Sequence, residues 1–371
     1  MAAAGPAAVI VLAAGEGTRM RTSTPKMLNE VCGRPMLGHV LAAARELAPR
    51  QLILVVSDLS GQVAGYARQS WPEATLVRQE RGGSWGTGHA VRTVIESLGV
   101  IHGTVIVLFS DTPMLRAQTL ASLTAEHEAA DAAVTVLTAR APDPKGYGRI
   151  LRDAAGQVTG IVEEADATDD QRAITEVSSG MFAFDGDLLA DAVKRVPAAK
   201  ATGEEYLTEV PAILRADGHR VGSALCPDFD EVQGVNNQAQ LAQARRVLNQ
   251  RLLAHWMAAG VTIVDPASTW IDVDVRIEPG VRLAQATQLE GHTVIGAGAS
   301  IGPGCLLRDV SVGAGATVLQ SVCEDVAIEP GSVVGPFAHL RPGAGEQGTE
   351  RGGPARPPAP ASAGKWQRKE S

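Results

Sequence analysis

The second half of the chain repeats an aliphatic residue every six positions, and this period limits its fold more than any other feature. The repeating residues, with one slip of a single position after Leu307 and one gap after Val318, are Ile271, Ile277, Leu283, Leu289, Ile295, Ile301, Leu307, Val312, Val318, Ile328, Val334 and Leu340. A period of six fits neither a helix face nor a simple hairpin. It fits a left-handed parallel β-helix, in which three short faces make a coil of about eighteen residues and each face points one aliphatic side chain inward. About four such coils are expected before residue 343.

The first part of the chain, up to about residue 236, alternates short apolar runs with helical stretches. Strands are predicted at residues 8–12, 52–56, 103–109 and 133–137, and helices at 36–47 and 90–98. Nearly continuous apolar runs are typical of strands that are covered on both faces. The pattern predicts a doubly wound α/β domain with a mostly parallel, mixed sheet whose ligands bind at the carboxyl ends of the strands.

Between the two parts, a connecting helix is predicted over 237–259, with Leu241, Leu248, Leu252 and Trp256 on one face. The predicted organisation is therefore an α/β domain over 1–236, a helical linker over 237–260, a partial β-helix over 261–343 and a tail over 344–371. The tail has no aliphatic side chain larger than alanine and is dense in glycine and proline. Because it cannot bury enough apolar surface to offset its chain entropy, it is predicted to be disordered.

Composition excludes some classes of partner. Hydrophobic residues make up 45% and charged residues 20% of the chain, as in ordinary globular proteins. A net charge of −8 implies no general affinity for nucleic acid. The four cysteines are far apart and are predicted to be buried thiols in a reducing compartment. The N-terminus lacks the basic start of a signal peptide, and the apolar run 7–14 is too short to span a bilayer. We therefore expect a cytoplasmic protein with no membrane or nucleic-acid partner.

The loop that follows the first predicted strand points to nucleotide chemistry. Its small residues are Ala13, Ala14, Gly15 and Gly17. Small residues let backbone N–H groups approach an anion closely, so Leu12–Gly15 is expected to lie along a nucleotide. Arg19 and Lys26 can neutralise a polyphosphate whose charge grows during reaction. The loop is not a Walker motif, and Met20 stands where a dinucleotide-binding loop would have its third glycine.

Several motifs resemble a known family. The string Leu12-Ala-Ala-Gly-Glu-Gly-Thr-Arg-Met20, followed by Pro25-Lys26, is similar to the signature of sugar-1-phosphate nucleotidylyltransferases. The later motifs, in the order and spacing of that group, are Gly86-Thr-Gly-His-Ala90, Asp111-Thr-Pro113, Gly146-Tyr-Gly-Arg-Ile150, Glu163 and Gly234-Val-Asn-Asn237. Together with the six-residue repeats, residues 8 to 343 resemble the bifunctional UDP-N-acetylglucosamine pyrophosphorylase and glucosamine-1-phosphate N-acetyltransferase family.

This resemblance implies a Mg²⁺-dependent enzyme that converts UTP and N-acetylglucosamine-1-phosphate to UDP-N-acetylglucosamine and pyrophosphate for cell-wall precursor synthesis. A sugar-phosphate oxygen would attack the α-phosphorus in line, without a covalent enzyme intermediate. Arg19 and Lys26 are the expected catalytic cations. Asp111, which follows a predicted strand, and Asn236, which matches the family's second ligand, are the expected metal ligands, because Mg²⁺ prefers oxygen donors.

The substrate-binding residues that the resemblance implies are Leu12, Ala13, Ala14, Gly15, Lys26, Gln79, Gly86, Thr87, Phe109, Ser110, Gly148, Glu163, Ser178 and Asn236. Gly86 and Thr87 match base contacts, and Gly148 and Glu163 match sugar contacts. Ser178 stands where the family has asparagine, and the lost hydrogen bond is expected to weaken sugar binding by about 1 kcal/mol. The base-reading glutamine is Gln79 if its loop carries a two-residue insertion, whereas strict spacing would place Arg81 there.

The resemblance also covers the start of the acetyltransferase half. Arg341 matches that half's first phosphate-binding arginine, but the family's later lysines, catalytic histidine and coenzyme A contacts have no counterpart in residues 344–371. Acetyl transfer is therefore expected to be absent, although the β-helix could still form a homotrimer. Two alternatives remain: a nucleotidylyltransferase for another sugar-1-phosphate or nucleotide, and a non-catalytic relative that binds a nucleotide sugar.

Overall fold

The computed structural model describes residues 5–15, 17–80, 85–199 and 203–342 of the 371-residue chain. The tail predicted over 344–371 lies outside the described residues. None of the helices within these ranges combines the length and the hydrophobicity that crossing a bilayer requires.

The first part of the chain alternates strands and helices. Its strands are β1 (Ala8–Leu12), β2 (Glu30–Val31), β3 (Arg34–Pro35), β4 (Gln51–Val56), β5 (Thr75–Arg78), β6 (Thr104–Phe109), β7 (Val134–Arg140), β8 (Arg149–Arg152), β9 (Val158–Val162), β10 (Glu176–Asp185) and β11 (Val221–Cys226). Its α-helices are α1 (Met36–Glu46), α2 (Gln62–Ser70), α3 (Thr87–Leu98), α4 (Ala117–Ala130), α5 (Asp169–Arg172), α6 (Gly186–Ala192), α7 (Val210–Ala216) and α8 (Phe229–Val232). Single 3-10 turns occur at Thr18–Met20, Lys26–Leu28, Val193–Arg195 and Leu207–Glu209.

The central sheet is mixed, with the strand order β11-β7-β10-β6-β1-β4-β5. Strand β1 is parallel to both of its neighbours, β4 and β6, whereas β10 runs antiparallel to β6 and β7. Strands β8 and β9 form a hairpin that pairs with β10. The predicted doubly wound mixed sheet is confirmed, and β1 has the bounds that the apolar run predicts.

Two separate hydrophobic cores cover the two faces of this sheet. Alternate residues of β1 enter opposite cores: Ile10 packs in the same core as Val91 of α3, and Val9 packs in the same core as Leu37 of α1. All five residues of β1 are buried. Burial on both faces explains why the strand reads as a continuous apolar run rather than as an alternating pattern.

The second part of the chain is the predicted left-handed parallel β-helix. Its strands are β12 (Thr262–Ile263), β13 (Trp270–Ile271), β14 (Arg276–Ile277), β15 (Arg282–Leu283), β16 (Gln288–Glu290), β17 (Val294–Ile295), β18 (Ser300–Ile301), β19 (Leu306–Arg308), β20 (Ser311–Val312), β21 (Thr317–Val318), β22 (Val322–Glu324), β23 (Ala327–Ile328), β24 (Val333–Val334) and β25 (His339–Leu340). They stack into three parallel sheets of five, five and four strands. Within the described residues this makes four complete coils and two faces of a fifth.

The aliphatic residues of the six-residue period form the core of this β-helix, as predicted. The gap after Val318 is filled by Cys323, whose side chain is fully buried in β22. A thiol behaves as a small hydrophobic group, so it substitutes for an aliphatic residue at this inward position. The six-residue pattern misses it because cysteine is not aliphatic and because Cys323 lies five residues, not six, after Val318.

Helix α9 (Gln238–Ala258) connects the two parts, close to the predicted range. The predicted face is confirmed: Leu241 is buried, and the half-buried Leu248, Leu252 and Trp256 pack against hydrophobic cores. The buried Asn249 also anchors the helix. Its Nδ2 donates to the carbonyl of Thr269 at 2.8 Å, and its Oδ1 accepts from the N–H of Ile271 at 3.0 Å. These two bonds satisfy the buried amide, which an apolar periodicity cannot predict.

The hairpin formed by β2 and β3 also contacts the first coil of the β-helix. Arg34 Nη2 lies 2.6 Å from Asp274 Oδ1, and the N–H of Val273 donates to the carbonyl of Cys32 at 3.1 Å. Between them, Gly33 has a φ of +77°, and a Cβ there would overlap the Asp272 carboxylate. The hairpin is therefore packed tightly against the coil.

The burial of the cysteines gives a testable prediction. All four are buried, and burial raises the pKa of Cys32 to about 12 and that of Cys323 to about 11. Because the thiolate is the reactive form, Cys32 should have about 1000-fold less thiolate at pH 8 than a thiol with an ordinary pKa. We expect the folded chain to react very slowly with a chromogenic disulfide reagent, whereas the urea-unfolded chain should react at all four thiols. Fast reaction of the folded chain at any thiol would contradict this burial.

Candidate functional site

The loops after β1 and β6 meet at a cavity of about 990 Å³ at the carboxyl ends of these strands. Leu12 pairs with Phe109 across the two strands, and the N–H of Ser110 donates to the carbonyl of Leu12 at 3.1 Å. The predicted site residues that line the cavity are Leu12, Ala14, Gly15, Arg19, Lys26, Gln79, Gly86, Thr87, Phe109, Ser110, Asp111 and Asn236. Ala13 is buried beside them, and its N–H donates to the carbonyl of Val55. Residues from five separate segments of the chain are thus brought to one edge of the sheet.

In the cavity, two side-chain oxygens accept hydrogen bonds from one ammonium group. The Nζ of Lys26 donates to Asp111 Oδ2 and, at 2.6 Å, to Asn236 Oδ1. Arg19 Nη2 donates to the same amide oxygen at 2.8 Å. The side chains of Lys26 and Asp111 are only 12% and 22% exposed. Partial burial strengthens this ion pair relative to one in bulk water.

Local geometry brings these groups together. Gly17 has a φ of +62°, and a Cβ there would overlap the Lys26 side chain, so only glycine lets the lysine pass. The N–H of Val235 donates to the carbonyl of Asp111 at 2.9 Å, which holds the segment containing Asn236 beside the β6 loop. The N–H of Asn236 donates to Gln240 Oε1 at 2.7 Å.

This donor set fits a divalent cation. A carboxylate and an amide oxygen already converge on one positive charge, and both are oxygen donors of the kind that Mg²⁺ binds. Among the described residues there is no group of three or more His, Cys, Asp or Glu side chains that could hold a metal. A metal bound by Asp111 and Asn236 would therefore complete its coordination with water or substrate oxygens, as Mg²⁺ commonly does.

The same cavity is also lined by the residues that match base contacts. Gln79 Nε2 donates to the carbonyl of Gly86 at 3.1 Å and lies 3.0 Å from His89 Nδ1. Gly86 is the N-cap residue of helix α3 and has a φ of +115°, and a Cβ there would clash with the backbone of Glu205. Gln79 lines the cavity. Its competitor for the base-reading role, Arg81, lies outside the described residues.

A segment around Glu205 braces this side of the site. The N–H of Glu205 donates to the carbonyl of Trp85, and the N–H of Gly88 donates to the carbonyl of Glu205, both at 2.7 Å. The hydroxyl of Thr87 accepts from the N–H of Leu207 at 2.9 Å. Thr87 therefore helps to fix the position of this segment as well as lining the cavity.

The residues that match sugar contacts form a second group beside the cavity. The N–H of Ser178 donates to the carbonyl of Gly148 at 2.8 Å, and a Cβ on Gly148 would lie 3.4 Å from Glu163 Oε2. Thr208 donates its hydroxyl hydrogen to Glu163 Oε1 at 2.7 Å. Burial and the negative charge of Glu163 raise the pKa of Glu204, which itself lines the cavity. The residues that match sugar contacts are therefore linked to the cavity through the Glu204–Thr208 segment, since Glu204 lines the cavity and Thr208 donates to Glu163.

The side chain of Ser178 is held locally. Its hydroxyl accepts from the N–H of Gly180 at 3.1 Å, and the residue is 5% exposed. Gly180 has a φ of +76°, and a Cβ there would overlap the Phe109 ring. The serine thus stabilises a tight bend on which the ring of a cavity residue packs.

The structure separates one predicted residue from all the others. Arg341 is exposed and directly follows β25, in the last described coil of the β-helix. The structure also adds cavity residues that the sequence did not indicate, namely Ser57, Trp85, Glu204 and Tyr206. Trp85 is 53% exposed despite its size. The adjacent Glu204–Thr208 segment carries no apolar periodicity that could have drawn attention to it.

Comparisons with known proteins identify the family of the chain. Residues 9–175 match a family model described as the MobA-like NTP transferase domain. The chain is 55% identical over 334 residues to the bifunctional protein GlmU of Thermobifida fusca, covering 89% of this chain and 69% of the relative. It is 53% identical to GlmU of Streptomyces avermitilis over 346 residues, covering 92% of this chain and 71% of the relative. For GlmU of Streptomyces coelicolor the identity is 52% over 345 residues, with the same coverage of 92% and 71%. The resemblance seen in the motifs is confirmed, and the chain belongs to the GlmU family of bifunctional proteins, with an N-terminal nucleotidyltransferase domain.

Proposed function

We propose that this chain transfers a uridylyl group from UTP to N-acetylglucosamine-1-phosphate and releases pyrophosphate. The observation that carries the proposal is that Asp111 and Asn236 both accept from the Lys26 ammonium beside Arg19. This group lies next to the small-residue loop after β1. A nucleoside triphosphate in this cavity would share it with the positive charges of Arg19 and Lys26 and with the Gly86 loop, all of which line it. In-line phosphoryl chemistry needs this kind of positioning and charge neutralisation.

In this proposal, each charged residue has a defined task. A bound Mg²⁺, held by Asp111 and Asn236, would supply a Lewis acid that neutralises charge on the phosphate oxygens. When the nucleotide binds, the Lys26 ammonium would leave Asp111 Oδ2 and Asn236 Oδ1 and donate instead to oxygens of the transferring phosphate. Arg19 pairs with the phosphates that leave as pyrophosphate. The attacking sugar-phosphate oxygen is already anionic at neutral pH, so no general base is required.

The sugar would bind beside Gly148, where a Cβ would approach Ile161 Cγ2 to 2.9 Å and would occupy the space next to Glu163. Glu163 would accept hydrogen bonds from sugar hydroxyls, and Thr208 fixes its orientation. Burial and the negative charge of Asp111 raise the pKa of Tyr147, the residue before Gly148.

The sugar contact gives a prediction. Replacing Glu163 with glutamine should raise the KM for N-acetylglucosamine-1-phosphate about tenfold, because hydrogen bonds to a charged acceptor are stronger than those to a neutral one. The kcat should change much less. Steady-state kinetics at saturating UTP would measure both. Thr208→Ser keeps the hydroxyl donor and should behave as the unmodified chain, whereas an unchanged KM in Glu163→Gln would remove Glu163 from the sugar site.

The proposed function is tested by measuring pyrophosphate release with matched substrates. We expect turnover with UTP, Mg²⁺ and N-acetylglucosamine-1-phosphate, and much slower turnover with glucose-1-phosphate, mannose-1-phosphate, ATP or GTP. A preference for another pair would instead identify a different sugar-1-phosphate nucleotidylyltransferase. Binding of UDP-N-acetylglucosamine without any turnover would identify a non-catalytic relative.

The remaining expectations stay predictions. They are a cytoplasmic location, a homotrimer formed through the β-helix, and the absence of acetyl transfer by the 371-residue chain. The last is checked by following acetyl-CoA-dependent release of coenzyme A with glucosamine-1-phosphate. Release that scales with the concentration of the purified chain would contradict it.

A further inference from the structure

A second, carboxylate-free groove of about 670 Å³ lies beside the nucleotide cavity. It is bounded by the turn Thr18–Met20 and by the first residues of α9. Three arginines line it: Arg19, Arg21 and Arg245. Among the described residues that line the groove, none is acidic and none is aromatic. In a chain with a net charge of −8, such a local concentration of positive charge needs an explanation.

Within the described part of the chain, none of these three guanidinium groups forms an ion pair with a carboxylate. Arg19 donates to the neutral amide of Asn236, and Arg245 Nε donates to the backbone carbonyl of Glu30 at 2.9 Å. Arg21 is exposed. Elsewhere, Arg34, Arg149 and Arg308 each have a carboxylate partner within 2.7 Å. The groove arginines therefore have guanidinium donors available for an anion.

The groove and the site of the proposed reaction share one residue. Arg19 lines both the groove and the nucleotide cavity, so its guanidinium is within reach of an anion in either. The N-terminal end of the 21-residue helix α9 adds a partial positive charge. Asn237 caps that helix through Gln240, and the polar side chain of Gln238 also lines the groove.

We propose that this groove binds the diphosphate anion released by the reaction, and that it is the exit site for pyrophosphate. The proposal rests on the proposed function. A diphosphate suits three arginines because guanidinium groups bind phosphate oxygens in pairs. The groove has no aromatic face on which a base could stack. Its other polar side chains, Thr22, Asn29, Asn237 and Gln238, are neutral, so its charge comes from the arginines and favours an anion over a neutral sugar.

The test is calorimetric binding of pyrophosphate to the full chain without metal. Arg21→Gln and Arg245→Gln should each weaken pyrophosphate binding about tenfold, the loss expected for one charge-assisted contact. Arg246→Gln is the matched control, since Arg246 is an exposed neighbour on α9 that does not line the groove. It should bind pyrophosphate like the unmodified chain. Arg245 also donates to the backbone of β2, so its replacement can affect folding. If Arg245→Gln does not fold, the result for Arg21→Gln alone is decisive, because Arg21 is exposed.

Pyrophosphate bound as tightly by Arg21→Gln as by the unmodified chain would overturn the proposal. The same diphosphate chemistry is present in the tail of UTP, so UTP and UMP are titrated in parallel. If Arg21→Gln weakens UTP but leaves pyrophosphate unchanged, the groove holds the incoming nucleotide and the exit site is rejected. UMP, which has no diphosphate, should bind equally to all variants.

Two measurements separate this proposal from the proposed function. Forward turnover of the unmodified chain tests the reaction itself. Product inhibition tests the groove, and the inhibition constant for pyrophosphate should rise about tenfold in Arg21→Gln. If the unmodified chain shows no turnover but Arg21→Gln weakens pyrophosphate binding, only the proposed reaction is rejected. Normal turnover with inhibition that is insensitive to Arg21 would reject only the groove.

Discussion

Replacing Asp111 with asparagine is expected to lower kcat about 1000-fold, because removing one preorganised electrostatic partner of a developing charge has effects of this size. The carboxylate is the only charged member of the oxygen pair that converges on Lys26. Asparagine keeps the shape of the side chain but supplies only a neutral oxygen, so the affinity for a divalent cation should fall as well. Pyrophosphate release across a range of Mg²⁺ concentrations would measure both effects.

Asp170→Asn provides the control for this experiment. Asp170 is exposed in the first turn of α5, distant in sequence from the cavity residues, and the substitution makes the same change of charge. It should leave kcat and the Mg²⁺ dependence unchanged. If Asp111→Asn retained full activity at low Mg²⁺, the metal role of Asp111 and the phosphate orientation proposed here would both be wrong.

Replacing Lys26 with methionine is expected to change catalysis and metal binding in opposite directions. Turnover should fall about 1000-fold, because the variant lacks a cation for the transferring phosphate. Metal binding without nucleotide should become at least about tenfold tighter, because the ammonium no longer competes for Asp111 and Asn236, and competing positive charge disfavours a second cation. Titration of Mn²⁺ by electron paramagnetic resonance measures this affinity without relying on activity.

Lys145→Met removes the same charge from an exposed loop and should alter neither quantity. Unchanged Mn²⁺ affinity in Lys26→Met would mean that the metal does not use the two oxygens held by the lysine. In the unmodified chain, this competition implies that metal binds weakly alone and more tightly together with the triphosphate, whose oxygens give Lys26 a replacement partner.

The parts of the fold that could be predicted are those where a single physical constraint controls the sequence. Strand β1 is buried on both faces, so every position must be apolar and its ends are visible. The β-helix must fill one inward position on each face, so its period is visible over many coils. Strand β10 was not predicted because Ser178, Ser179 and Gly180 interrupt its apolar run where it bends against Phe109.

The residues of the candidate site also fall into those that the sequence alone could indicate and those that it could not. The cations and small residues of the first loop carry their chemistry in their own side chains, so Arg19 and Lys26 could be identified from the sequence. Glu163 and Asn236 could be identified only by resemblance, because a single carboxylate or amide in a loop has many ordinary roles. Thr208 and the backbone of Glu205 act by holding other residues, and such contacts between distant segments leave no local pattern.

The packing of the β2–β3 hairpin limits how this protein can be divided for study. The hairpin begins two residues after the turn that carries Lys26, and it is fastened to Asp274 and to the backbone of Val273. A fragment cut at the end of the α/β domain would expose the surface that this first coil covers and loosen the segment on which the lysine depends. Expression of the catalytic half for crystallisation or inhibitor screening should therefore retain α9 and at least the first complete coil.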